Sequence, residues 1–212
     1  MNRGMIIGVV AMAAIVVASN ILVQFLLGDW LTWGAFTYPF AFLVTDLMNR
    51  TYGPAQARKV VFIGFVVGVI CSLIGTQIML EIEPGLFVPA VSPRIAMGSG
   101  IAFLAAQLTD VLVFDRLRKG SWWKAPLVSS LIGSSLDTAL FFSIAFAGAF
   151  VFLDSTQPNG WARDIIPMFG IGSEAPLWVS LAVADFAVKM SLALLALGPY
   201  RVAISRFAPS RA

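Results

Sequence analysis

Residues 59–80 read KVVFIGFVVGVICSLIGTQIML, a run whose only charge is Lys59 at its start. Wound as an α-helix at 1.5 Å per residue it is about 33 Å long, enough to cross a hydrocarbon core of about 30 Å. A soluble core helix would carry a polar face along that length, and this run has none. Outward from it, the remaining apolar stretches fall at residues 5–27, 34–48, 95–114, 126–152 and 176–197. The sequence therefore predicts an all-α membrane protein, one polytopic domain over residues 1–212, with six transmembrane helices. The second span is short and interrupted by Pro39, so it is tilted and broken or partly re-entrant.

Composition agrees. The chain is 59% hydrophobic and 12% charged, with a mean hydropathy of +0.89, where soluble domains carry roughly 25% charged residues. Short loops leave no room for a soluble catalytic domain. The first apolar run starts behind Arg3 like a secretory signal, but it continues through Ile21, Leu22 and Val23 and reads as a retained span. There is no histidine and one cysteine, Cys71, inside an apolar run. Metal-dependent and histidine-dependent chemistry, a disulfide framework and a resident cofactor are thus not expected.

The net charge is +3, and its distribution gives an orientation. With the N-terminus inside, Arg3, Arg50, Arg58, Lys59, Arg116, Arg118, Lys119, Lys124, Arg201, Arg206 and Arg211 all lie on the inner side. Arg94 and Arg163 fall outside, and Lys189 lies within a span. Cytoplasmic loops retain positive charge, so both termini are predicted cytoplasmic. The charge is a topology signal and not a nucleic-acid footprint. Trp30, Trp33 and Trp161 sit at the outer interface, and Trp122 and Trp123 at the inner one.

Within the spans stand Asp46, Asp110, Asp137, Asp185 and Lys189. Each costs roughly 2.5–3.5 kcal/mol at a bilayer centre, so such residues face a bundle interior or wet cavity. From the assumed helix ends, Asp137 lies roughly 17 Å from the inner surface, and Asp185 and Lys189 roughly 14–20 Å from the outer one. Asp46 and Asp110 lie nearer the cytoplasmic side, where salt bridges to Arg50 and Arg116 compete with a functional role. Asp185 and Lys189 are four apart and can pair on one helix face; Lys189 meeting Asp137 or a substrate group is the rival arrangement. Asn20 and Gln24 lie one turn apart on the first span, and Gln107 precedes Asp110 by three. Carboxylates, amides and many of the 17 phenylalanines suit a flat, nitrogen-rich, largely uncharged ligand, though a sugar or ion path uses the same residue types.

At these residues the chain resembles the queuosine precursor transporter family, also called vitamin-uptake-transporter-like, of bacterial inner membranes. The resemblance runs through Ser19-Asn20, Val23-Gln24, Thr32-Trp33-Gly34-Ala35-Phe36, Pro39-Phe40, Thr45-Asp46-Leu47 and Tyr52-Gly53. It continues through Arg94-Ile95-Ala96, Gln107, Asp110-Val111, Arg116-Leu117-Arg118, Trp122-Trp123, Asp137-Thr138, Asp185 and Lys189. It implies a multi-pass inner-membrane importer of 7-deazaguanine precursors, 7-cyano-7-deazaguanine or its aminomethyl form, for salvage into tRNA modification. The expected partners are that deazapurine and the lipid bilayer, with no nucleic acid; a homo-oligomer is compatible.

The expected mechanism is alternating access, with Asp137 or Asp185 accepting from the guanine-like edge and Asn20, Gln24 or Gln107 completing the site. Arg94, at the outer entrance, is a candidate external gate. The rival functions are a substrate-capturing subunit of an energy-coupling transporter, which needs a separate ATPase, an intramembrane acid–base enzyme, and a channel. The chain has no phosphate-binding G-x-x-x-x-G-K-[ST] loop of its own. No histidine, clustered metal ligands or serine elbow supports the enzyme.

Overall fold

The computed structural model describes residues 3–23, 25–154 and 160–207; the candidate Gln24 lies outside the described residues. The described residues form seven α-helices: α1 (Arg3–Leu22), α2 (Gly34–Thr37), α3 (Pro39–Tyr52), α4 (Pro54–Gln77), α5 (Pro93–Leu117), α6 (Lys124–Phe146) and α7 (Leu177–Phe207). Three two-stranded antiparallel hairpins join them: β1 (Leu26–Leu27) with β2 (Leu31–Thr32), β3 (Met79–Glu83) with β4 (Leu86–Pro89), and β5 (Ile165–Pro167) with β6 (Glu174–Pro176). The helices run up and down, so the hairpins gather at one end and the short turns at the other. Trp30 of the first hairpin meets Phe169, between β5 and β6, with ring centroids 5.6 Å apart.

Five helices, α1, α4, α5, α6 and α7, are long and apolar enough to cross a membrane. The second predicted span is the exception, and its chemistry explains why. Pro39 has no N–H for the carbonyl of Ala35, so the hydrogen-bond ladder breaks between α2 and α3. Tyr38 nevertheless stays helical (φ −57°, ψ −40°). The two pieces thus follow one another with proline at the first position of the second, where a missing N–H costs little. Gly53 at φ +88° stops α3, and Pro54 opens α4 at once. The inner turn therefore needs almost no loop.

Other boundaries differ from expectation for local reasons. The first helix ends at Leu22, not residue 27, because Leu26 and Leu27 pair with Thr32 and Leu31. The third ends at Gln77 and the chain turns extended at Ile78 (ψ 115°) to enter β3. The fifth ends at Phe146; Ala147 is extended (ψ 144°), and residues 148–153 form a 3-10 turn instead of continuing the helix to 152. At the start of α5, Ser92 accepts a hydrogen bond from the Ile95 N–H at 3.0 Å, an N-cap.

Close approach depends on small residues, as expected where lipid supplies no hydrophobic drive between helices. One core joins Met5, Met12 and Val16 of α1 with Met48 of α3, Val60 and Val61 of α4, and Phe103 and Val111 of α5. The α5–α6 pair is the most extensive helix contact. At Gly133 of α6 a Cβ would come within 2.8 Å of the Phe42 ring and 3.3 Å of the Ala106 carbonyl oxygen. Gly133→Ala is therefore expected to destabilise the protein by about 1–3 kcal/mol through overpacking. Gly100→Ala, whose Cβ meets only Phe65 at 3.6 Å, is the control. Thermal melting in detergent checks the pair, and equal midpoints would contradict the packing described.

Candidate functional site: a buried ion cluster and a carboxyl pair

Lys189 lies midway along α7 and is 4% exposed, so its ammonium must find every partner within the protein. It donates to Asp137 Oδ2 of α6 at 2.6 Å, to Thr138 Oγ1 at 3.2 Å, and to Asp185 Oδ2, one turn earlier on α7, at 2.5 Å. An ammonium has three donors, and all three are used. Thr138 in turn donates to Asp185 Oδ2 at 3.0 Å, and the Tyr38 hydroxyl donates to Asp137 Oδ1 at 3.1 Å. The Tyr38 ring also lies under the ammonium, 5.4 Å from centroid to nitrogen. Two carboxylates share one cation, leaving a formal charge of −1. Asp185, 15% exposed, is the more open of the two acids. Both pairings open from the sequence, within α7 and across to α6, are present together.

A narrow crevice leaves this cluster along α7, between α7, α3 and α6. Lys189, Ala193, Ala196 and Tyr200 line it from α7, facing Phe42 and Asp46 of α3 and Ser130 and Ser134 of α6. From Lys189 to Tyr200 it runs about 16 Å along the helix. Its room is about 20 Å³, enough for a water and too little for a heterocycle. Tyr200 closes the far end, where its hydroxyl accepts from Arg50 Nε at 3.0 Å. Arg50 also donates to the Arg118 carbonyl at 2.5 Å and lies over the Phe114 ring at 5.4 Å. This belt ties α3, α5 and α7 together at the end opposite the hairpins.

Behind the crevice wall stands a second polar group. Asp46 of α3 and Asp110 of α5 lie against each other, with Ser129 of α6 beside both. Ser129 Oγ donates to Asp46 Oδ1 at 3.3 Å. Gln107 accepts from Thr45 Oγ1 at 2.7 Å through its Oε1, and Asn49 donates to the Val111 carbonyl at 3.0 Å. Neither aspartate pairs with Arg50 or Arg116, so the salt-bridge alternative does not describe them; among the described residues the ion pairs of span acids are those of Lys189.

The remaining candidates stand apart. Asn20 of α1 donates to its own helix at the Val16 carbonyl, 2.9 Å away, and joins neither group. Arg94 is fully buried and donates to the carbonyls of Ile144 (2.7 Å) and Ala147 (2.5 Å), the end of α6. A cation on the last carbonyls of a helix is a capping arrangement. The sequence left Tyr38 and Asn49 unremarked and gave Thr45 and Thr138 no role of their own. Thr45 and Asn49 are one turn apart on the face that carries Asp46, and that periodicity was available.

Removing one partner of a buried ion pair leaves an uncompensated charge, at a cost of about 3–5 kcal/mol. Lys189→Met is expected to lower the folded yield and melting temperature accordingly. The double variant Lys189→Met with Asp137→Asn should recover part of the loss. Recovery of nothing, or no loss in the single variant, would contradict the pairing.

Comparison with known proteins places this arrangement. The family described as "Putative vitamin uptake transporter" matches residues 32–203, most of the chain. The chain is 32% identical over 194 residues to the "Queuosine precursor transporter" of Escherichia coli K12, covering 85% of this chain and 77% of that one. It is 41% identical over 138 residues to the "Probable queuosine precursor transporter" of Haemophilus influenzae, covering 62% of this chain and 57% of that one. The "Probable queuosine precursor transporter" of Bacillus subtilis is 26% identical over 204 residues, 87% of this chain and 76% of its own. No solved structure matches. With five long apolar helices, the chain is a multi-pass protein of the bacterial inner membrane and belongs to the vitamin-uptake-transporter family, a family of transporters and not of enzymes.

Proposed function

We propose that this protein imports queuosine precursors, 7-cyano-7-deazaguanine or its aminomethyl form, by alternating access around the Lys189 cluster. The observation that carries the reading is the buried set Asp137, Asp185 and Lys189 at the head of a crevice beside α7. The relatives named as queuosine precursor transporters supply the substrate class. A guanine-like edge presents a ring N–H and an amine side by side, and one carboxylate accepts both. Asp185 is the more open acid and the first acceptor; Asp137 follows once Tyr38 turns away. The rings of Tyr38 and Phe42 offer faces on which a heterocycle stacks.

The crevice is too narrow for that ligand, so the described state is closed. Opening requires α7 to part from α3 and α6, and α7 has a weak point for this at Gly198-Pro199. Proline inside the helix removes a ladder hydrogen bond, and nothing packs against Gly198 within 4 Å of where a Cβ would sit. Arg50 on Tyr200 closes the same end. We further propose that α2 and α3 together make the sixth span, about 28 Å from Gly34 to Tyr52. That count puts both termini in the cytoplasm, as the lysines and arginines require. Arg94, at the hairpin end, then braces the outer half while the inner half opens.

Proteoliposomes holding only the purified chain, given labelled 7-cyano-7-deazaguanine, test the reading. Saturable uptake is expected, with competition by the aminomethyl compound. Asp185→Asn and Asp137→Asn, present at parental levels, should each cut uptake by about tenfold or more, the loss of a charge-assisted hydrogen-bond pair. Uptake by both variants at the parental rate would refute the site. Binding without uptake would instead mark a capture subunit that needs an ATPase partner.

A further inference from the structure

Asp46 and Asp110 have an unmet need that the substrate site does not explain. Both are essentially without exposure, at 2% and 0%. Neither carboxylate oxygen of Asp110 has a hydrogen-bond donor. Its facing partner is another carboxyl group, which offers only an acceptor while ionised. Buried polar atoms are almost always satisfied, so two orphaned oxygens on one side chain call for a ligand.

The surroundings say what kind. Of the charged and titratable groups around the pair, Arg50 on α3 turns its guanidinium to Tyr200 and the Arg118 carbonyl. Lys189 on α7 is consumed by Asp137, Asp185 and Thr138, and Tyr200 on α7 is held by Arg50. From α6 the pair meets the Ser129 hydroxyl, and from α5 the neutral Gln107 lies one turn before Asp110, its Oε1 held by Thr45. Among the described residues no cation forms an ion pair with the two acids. Asp110 itself is tightly enclosed: Gly133 is pressed against Phe42, and a Cβ there would already lie 3.4 Å from Asp110 Cβ. The ligand that fits a closed, uncompensated carboxyl pair is a proton. One proton converts an acceptor facing an acceptor into an O–H donating to a carboxylate.

We propose that the Asp46–Asp110 pair binds the proton that drives import. The proposal rests on the import reading above. Asp46, unlike Asp110, also lines the crevice that Lys189 heads. Occupancy of the pair therefore sets the charge on the wall past which substrate moves. One proton enters from the outer medium with each substrate, sits between the two carboxyls while the bundle is closed, and leaves to the cytoplasm when α7 opens; no bond in the substrate changes.

The test uses proteoliposomes of the full chain with a pH indicator trapped inside. Exchange of labelled 7-cyano-7-deazaguanine at equal pH reports the import reading alone. Accumulation under an acid-outside gradient, and internal acidification on adding substrate, report coupling. The parent should show all three. Asp110→Asn should keep exchange within about threefold and lose about tenfold or more of gradient-driven accumulation and acidification, the behaviour of a carrier deprived of its relay acid. Gradient-independent accumulation by the parent, a sodium gradient doing the work instead, or Asp110→Asn accumulating like the parent would each overturn the proton site. If Asp110→Asn does not fold, substrate-linked acidification in the parent decides between the same two outcomes. Absence of exchange in the parent would sink the import reading, and the coupled proton with it.

Discussion

An ammonium in the middle of a membrane helix must be neutralised and fully hydrogen-bonded where it stands, and Lys189 meets that demand with three acceptors from two helices. Geometry elsewhere follows. Asp185 one turn away fixes the ammonium's direction on α7, Asp137 and Thr138 fix how α6 is rotated towards it, and Tyr38 brings in the helix pair α2–α3. Such a cluster is weak evidence for stability, because desolvation offsets most of its attraction. What it sets is orientation: the three donors are met with Asp137 and Thr138 of α6 turned towards Lys189 of α7. A negative residual charge at the head of a crevice is also suited to an uncharged ligand rich in N–H donors.

Burial is uneven across the bundle. The apolar windows of α5 and α6 are each 44% buried, whereas that of α7 is 11% buried. Glycines let α1 approach α3 and α4 at Gly8 and Gly64, and let α6 reach α3 and α5 at Gly133, leaving no slack there. α7 meets α6 through the ion cluster and through Trp178, Leu181 and Ala182 packed against Phe142 and Phe146, and it meets α3 and α5 at the Tyr200 end. The two acid groups lie at different places in this packing, the Lys189 cluster where α7 meets α6 and the Asp46–Asp110 pair between α3, α5 and α6.

Much of this was legible in the sequence because membranes restrict what a chain can do. Uninterrupted apolar runs fixed the five long helices, and five ionisable residues inside runs singled out both polar groups. Depth counting separated Asp137, Asp185 and Lys189 from Asp46 and Asp110 as the structure does. What was hidden is tertiary. Tyr38, in an aromatic stretch beside a proline, looks like an interfacial ring until Asp137 faces it. Leu26-Leu27 and Met79-Leu80 are as apolar as span residues, so the first strands of two hairpins read as helix ends. Arg94 looks like a lone outer charge, and only the fold shows α6 ending at Phe146 with its carbonyls facing that guanidinium.

The most direct measurement of whether substrate occupies the seam beside α7 uses the single native cysteine to advantage. With Cys71 replaced by serine, Ala193→Cys places one thiol on the crevice wall, one turn from Lys189. Its alkylation rate in proteoliposomes is then compared with and without 7-cyano-7-deazaguanine. Substrate that binds at the Lys189 cluster should slow labelling by about tenfold at saturation, in line with occupancy of the wall. Labelling at an unchanged rate, in a protein that still takes up the compound, would place the substrate elsewhere and contradict the account.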